Sequence, residues 1–176
     1  MPVIKVETRI AAPCARCFDL AREVEAHEAS VAGTGDRAVG GVTTGLLGLG
    51  DVVTWEATHF GVRQRLTARI VVFEPPRRFV DVLVRGAFHA FTHTHEFKET
   101  PEGTLMLDTF DYTSPLGPLG RLADALFLER YMRRLLVERG MALQRMAEVQ
   151  GFAGECTEVL RRIWWQVLTY RSDSIA

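Results

Sequence analysis

"GAFHAFTHTHEFKETPEGTLMLDTFDYT", residues 86–113, holds two extended segments on either side of a turn. In the first, His89, Phe91, His93, His95 and Phe97 recur at every second position. A strand points such a set to one side of its sheet. The alternate positions, Ala90, Thr92, Thr94 and Glu96, suit water. If Phe97 faces Thr104 across the "KETPEG" turn, His95 faces Met106, His93 faces Asp108, Phe91 faces Phe110 and His89 faces Tyr112. That register gathers the aromatic and sulfur side chains on one buried face. A slip of one residue would bring Leu105, Leu107, Thr109 and Asp111 there instead, a less consistent set.

The neighbouring segments follow the same period. In "DVVTWEATHF" (51–60), Val53, Trp55, Ala57 and His59 share one side. In "VRQRLTARIVVF" (62–73), Leu66, Ala68, Ile70 and Val72 face one way, and Arg63, Arg65 and Arg69 the other. "FVDVLVRG" (79–86) places Val80, Val82 and Val84 in phase, on the inner face if the turn at Gly86-Ala87 is tight. Short connections between half-buried runs predict an antiparallel meander. "VIKVETRI" (3–10) adds a strand at the start. "APCARCFDLAREVEAH" (12–27) predicts one helix with Pro13 in its first turn, burying Phe18, Leu20, Ala21 and Val24. Residues 28–50 read as a Gly-dotted loop. Its end, "GLLGLGD", lacks the Lys-Ser/Thr of a phosphate loop, and a strand rather than a helix follows. Residues 119–149 predict a long helix with an apolar stripe through Leu119, Leu122, Leu126, Met132, Leu135, Leu136, Leu143 and Met146.

At 176 residues the chain suits one well-buried domain, and its 47% hydrophobic and 24% charged residues are ordinary for a globular protein. A net charge of −1 supplies no field to recruit nucleic acid, so the arginine stripe reads as a solvated face. No leader pattern opens the chain and no apolar run is long enough to span a membrane, so the expected location is the cytoplasm. Cys14-Ala-Arg-Cys17 has C-x-x-C spacing, but no second pair or metal-spaced His follows, and packing is the expected role.

Three motifs in order then resemble a known family. They are Ile10, Ala12, Pro13 and Phe18; His93, His95 and Phe97; and Asp108, Phe110, Tyr112 and Pro115 to Gly117. Together they resemble the ligand-binding SRPBCC group of the START/Bet v 1-like superfamily, whose members include polyketide cyclase/dehydrase-like proteins. The resemblance runs from about residue 3 to 149. It implies an α+β helix-grip fold: a curved antiparallel β-sheet wrapped around a long C-terminal helix, with an internal apolar cavity. It implies no single activity, because this fold serves binding and catalysis alike.

The interior expected from these phases holds Trp55, His59, His89, His93, His95, Asp108 and Tyr112 among Leu66, Val82, Phe91, Met106, Phe110, Leu126 and Met132. So many polar groups suit a cavity lining better than a dead core. Three uses of the histidines compete. A metal site could take His93 and His95 with Asp108 or His59, but a proposed ligand rests on the register alone, and neither metal nor cofactor is assigned. Acid–base chemistry could use His93 oriented by Asp108, with Tyr112 donating to an oxyanion, as in a polyketide cyclase/dehydratase-like enzyme. The favoured reading is a carrier or sensor of a small hydrophobic ligand of lipid, quinone or polyketide type, with the histidines satisfying one another and Asp108.

Residues 1–150 thus form the ligand-binding domain. In residues 151–176, Cys156, Val159, Leu160, Ile163, Trp164 and Val167 follow helical spacing. An isolated helix of that length needs a surface, either its own domain or a second copy of the chain as a homodimer.

Overall fold

The computed structural model describes residues 2–149 except 32, 116, 118, 119, 121 and 123. The extension at 151–176 and Leu119 therefore lie outside the described residues. Within them, alternating side chains build seven strands: β1 (Val3–Ile10), β2 (Arg37–Gly41), β3 (Val52–His59), β4 (Val62–Glu74), β5 (Arg78–Arg85), β6 (Ala90–Thr100) and β7 (Gly103–Thr113). All neighbours are antiparallel, in the order β1-β7-β6-β5-β4-β3-β2. Strand β1 buries Ile4, Val6, Thr8 and Ile10 in strict alternation and closes the sheet against β7. In the last helical segment, where Gly120 and Leu122 are already helical, one wide π turn at Asp124–Leu128 leads into helix α3 at 129–149. Leu136, Leu143 and Ala147 face the sheet, and at Gly140 an added Cβ would strike Thr8 Oγ1, so the bare backbone lets α3 approach β1 closely.

The first helical region is two helices rather than one, α1 (Cys14–Ala21) and α2 (Val24–Ser30). The break at Arg22-Glu23 is held open by the "GLLGLG" loop. Leu47 N–H donates to Arg22 O, Arg22 Nη1 donates to Leu47 O at 2.9 Å, Val24 N–H donates to Gly45 O, and Gly45 N–H donates to the Glu25 carboxylate. Backbone groups that would continue one helix are satisfied by the loop instead. Leu47 is buried in the core, so this loop anchors the helical corner. The 28–50 stretch also contains a strand that its short, Gly-rich sequence conceals, β2.

The histidine hairpin turns more tightly than expected. Thr100 pairs Gly103 around Pro101-Glu102, and the observed pairs are Phe97–Met106, His95–Asp108, His93–Phe110 and Phe91–Tyr112. The register is displaced by two residues from the expected one, which keeps every side chain on its face but moves Asp108 opposite His95. Strand β5 is corrected more deeply. Asp81 pairs His93, Phe79 pairs His95, and Leu83 pairs Ala68, so Phe79, Asp81 and Leu83 face inward. Val80, Val82 and Val84 occupy the other face, Val82 opposite Arg69 and Thr92.

On that outer face Arg63 and Arg65 do more than meet water. With Arg37 they enclose the Glu56 carboxylate, at 3.1, 2.9 and 3.5 Å. Cys14 Sγ and Cys17 Sγ lie against the carbonyls of Pro76 and Ala12, and burial pushes both thiols up. Such thiols are packing groups.

Candidate functional site

Between the concave face of the sheet and α3 lies a cavity of about 420 Å³. Its walls are mostly apolar. Trp55, Leu66, Phe91, Phe110 and Met132 line it as the sequence predicts, together with Phe79 and Phe88, which the sequence reading did not place there. Of the predicted polar residues, His59, His93 and His95 line it too.

Other expected lining residues do not. Val82 is on the outer face for the reason of phase given above. His89 precedes β6 in the bend at 86–89 and is exposed. Leu126 is 64% exposed because the π turn carries it outward. Met106, Asp108 and Tyr112 point inward from β7 but are sealed behind the lining, at 0, 1 and 0% exposure. Tyr112, opposite Phe91, is thus not on the cavity wall that holds His93. Its pKa is raised by burial and then by the nearby Asp124 carboxylate, which keeps the phenol protonated.

At the cavity floor four elements bring their charged side chains together. Asp81 comes from β5, His93 and His95 from β6, Asp108 from β7, and Arg139 from α3. His95 Nδ1 is 2.5 Å from Asp108 Oδ1, and His95 Nε2 is 3.3 Å from Asp81 Oδ1. His93 Nε2 is 3.3 Å from the same Asp108 oxygen, and Arg139 Nη1 is 4.0 Å from it. The contacts are close without being aligned: His93 Nε2, His95 Nδ1, Asp108 Oδ1 and Arg139 Nε are buried and meet no hydrogen-bond geometry. Arg139 Nη2 donates to Ala21 O at 2.9 Å, tying α3 to the end of α1.

The electrostatics follow from this packing. Burial disfavours a charge on His95, but Asp108 and then Asp81 outweigh it and raise its pKa. Burial lowers His93, and the neighbouring His95 charge lowers it further against the pull of Asp108. Burial opposes ionisation of Asp108, yet the His95 charge and the contacts from both histidines hold it well below the usual carboxylate range. Burial opposes ionisation of Asp81 as well, and His95, His93 and Arg139 outweigh it to hold that carboxyl low. The packing therefore favours a charged His95 between two carboxylates and a neutral His93 beside it.

A second polar group sits elsewhere on the wall. His27 stacks on Trp55 with ring centroids 4.0 Å apart, and its Nε2 is 3.6 Å from Asp36 Oδ2. His59 Nδ1 bonds the Tyr131 hydroxyl at 2.7 Å. Nearby, Phe60 adopts φ 52° in the β3–β4 turn, a left-handed conformation unusual for a bulky residue. Its ring packs on Phe127 and Tyr131, which holds the turn against α3 and the π turn. Sequence reasoning missed Asp81, Arg139, His27, Asp36 and Tyr131. The available signals were a charged residue inside each apolar stripe, Asp81 among valines and Arg139 between Leu136 and Leu143.

Comparison with known proteins agrees with this architecture. A family model described as polyketide cyclase / dehydrase and lipid transport matches residues 1–149. Among solved structures, the protein TTHA0849 from Thermus thermophilus superposes with a TM-score of 0.66 at 20% identity, covering 84% of this chain and 100% of that one. Ara h 8.0201 gives 0.62 at 12% identity over 83% and 97%. Major latex-like protein 151 from Panax ginseng gives 0.61 at 15% identity, again over 83% and 97%. At such identities the likeness is one of fold, the Bet v 1-like sheet around a long C-terminal helix. No curated protein matches the chain. No helix among the described residues is long and apolar enough to cross a membrane.

Proposed function

We propose that this chain, which belongs to the polyketide cyclase / dehydrase and lipid transport family, is a carrier or sensor of a small, largely apolar ligand held in its internal cavity. The observation that carries this reading is the cavity itself. About 420 Å³ of space is walled by Trp55, Leu66, Phe88, Phe91 and Met132 and has its charged groups gathered at the floor. Convergent polar groups on an apolar wall orient a ligand that has an apolar body and a polar head. Lipid, quinone and aromatic polyketide skeletons all meet that description.

The test uses 8-anilinonaphthalene-1-sulfonate as an apolar probe. Ala68 lines the cavity from β4, and Ala68→Phe should fill part of the space. Probe affinity is expected to fall at least ~10-fold, equivalent to about 1.4 kcal/mol. Undiminished binding to a folded Ala68→Phe variant would remove the cavity from the account.

A second reading has one observation behind it. His93 lines the cavity, is kept neutral by burial, and has Asp108 at 3.3 Å behind it. A neutral imidazole backed by a carboxylate can move a proton on a bound carbonyl or hydroxyl, which is cyclase/dehydratase-like chemistry. His93→Phe separates the two. A carrier should keep probe binding within ~3-fold, or tighten it by the added apolar surface. A catalyst would lose turnover of a poly-β-ketone substrate by ~10²-fold or more.

A further inference from the structure

The cavity floor holds a feature that apolar-ligand binding does not require. Asp81, His93 and His95 each present one donor atom, and these atoms lie within 4.8 Å of one another. One pair, Asp81 Oδ1 and His95 Nε2, is 3.3 Å apart. A tetrahedral cation with bonds of about 2.0–2.1 Å needs donors roughly 3.3–3.5 Å apart. One pair already has that spacing, and the third donor lies within the same 4.8 Å.

Three further observations bear on the same point. His95 is placed as metal-binding histidines are, with Nδ1 against the buried Asp108 carboxylate and Nε2 turned toward the other donors. Asp81, His93 and His95 all line the cavity, whereas Asp108 stands behind them, so coordination positions not used by protein would open toward a ligand. Finally, the charges do not balance when both imidazoles are neutral. Asp81 and Asp108 carry two negative charges, and Arg139 supplies one positive charge beside them. A cation held by the two neutral imidazoles would take the place of the proton otherwise carried by His95, whose Nδ1 is buried and without an aligned hydrogen bond.

We infer that the cavity floor is a divalent-metal site in which Asp81, His93 and His95 are the protein ligands, Asp108 orients His95, and the open positions face the cavity. Two imidazoles and one carboxylate suit a borderline cation such as Zn²⁺, Co²⁺ or Fe²⁺ over Ca²⁺ or Mg²⁺. The two-residue register at the hairpin is what makes this arrangement available. Asp108 is occupied by His95, and the carboxylate ligand comes from β5 instead. The inference is independent of which apolar body the cavity accepts.

The experiment uses the full chain, stripped with a chelator and dialysed. Titration with Co²⁺ is expected to reach one equivalent and to give visible d–d absorption of a low-symmetry four- or five-coordinate site. Zn²⁺ should displace it. In ¹⁵N-edited imidazole spectra of the unsubstituted protein, Zn²⁺ should move the His93 and His95 resonances and leave His89 unmoved. Asp81→Asn, which keeps the side-chain shape, should weaken Co²⁺ binding by ~100-fold while the far-ultraviolet circular dichroism stays unchanged. Binding below a tenth of an equivalent would overturn the site, as would Zn²⁺ perturbing His89 and neither His93 nor His95. Either failure would assign the missing positive charge to a proton on His95, and probe binding in the cavity would be untouched.

Discussion

Asp108→Ala is expected to cost about 3–5 kcal/mol of folding stability, the range for removing one side of a buried ion pair. Asp108 is 1% exposed and its Oδ1 lies within 4.0 Å of three basic side chains, His93, His95 and Arg139. Its removal leaves His95 and Arg139 as two buried cations with Asp81 as the sole partner, one charge in excess. Part of the penalty is relieved if His95 gives up its proton, so the lower end of the range is expected at high pH. The double variant Asp108→Leu/His95→Leu provides the decisive comparison. It removes one charge of each sign, leaves Asp81 to balance Arg139, and adds apolar surface beside Phe79 and Phe97. It should be at least ~1 kcal/mol more stable than Asp108→Ala, because well-packed apolar replacements of a buried pair are often neutral. Urea midpoints read both. A single variant that loses less than about 1 kcal/mol would mean that the contacts among these groups carry little energy.

The hairpin that makes this cluster shows what alternation can and cannot carry. Phe91, His93, His95 and Phe97 face inward as read, because period two fixes the face of a strand. A shift of two residues leaves that alternation intact, so pattern alone could not separate His93–Asp108 from the observed His95–Asp108 pair. The separating information is in the turn, where Pro101 and Glu102 suffice and Gly103 takes φ 135° close to the Ile10 carbonyl and Ala11. Strand β5 misleads differently. Both of its faces are apolar, and the β-branched set Val80, Val82 and Val84 looks more like core than Phe79, Asp81 and Leu83. The acid that reads as a mark of the wet face is a floor residue, its charge offset by His95. On α3, Arg139 sits between Leu136 and Leu143 on the buried stripe. A charged residue in that phase is the trace of a buried partner, but its identity depends on a strand pairing remote in sequence.

The fold as a whole was more legible than its floor. The strand meander, the inward phases of β1, β3 and β7 and of β4 as far as Ile70, and the long last helix follow from local periodicity, whereas a bulge after Ile70 turns Val72 outward beside Val80 and brings Phe73 inward. The second polar group was not legible in the same way. His27, Asp36 and His59 come from α2, from the connection to β2 and from the end of β3, and Tyr131 from α3. Only the curvature of the sheet brings them to one wall, and no spacing rule links such distant positions.

With a chelator present to keep the cation site empty, stability is expected to peak near pH ~6.5 and to fall on both sides. The groups facing His95 are Asp81 on β5, His93 on its own strand, Asp108 on β7 and Arg139 on α3. Its folded pKa is raised, so its contribution is complete below the ordinary histidine value of ~6.5 and is lost as pH rises through the folded value. His93 and His27 are lowered by burial, so below ~6.5 the unfolded chain takes up protons that the folded chain refuses, and stability falls. The depressed Asp108 adds to that acid limb only below its unfolded value of ~3.9. Buried Cys14 and Cys17 add to the alkaline limb only from about pH 8.5, where unfolded thiols ionise. The interval from about pH 6.5 to 8 therefore belongs to His95 among the histidines with shifted pKa. His95→Gln should flatten the profile there while the His27 part of the acid limb persists. Urea midpoints across about pH 5–9 measure it. Stability that still rises between about pH 6.5 and 8 in the unsubstituted protein would contradict a charged His95 held between two carboxylates.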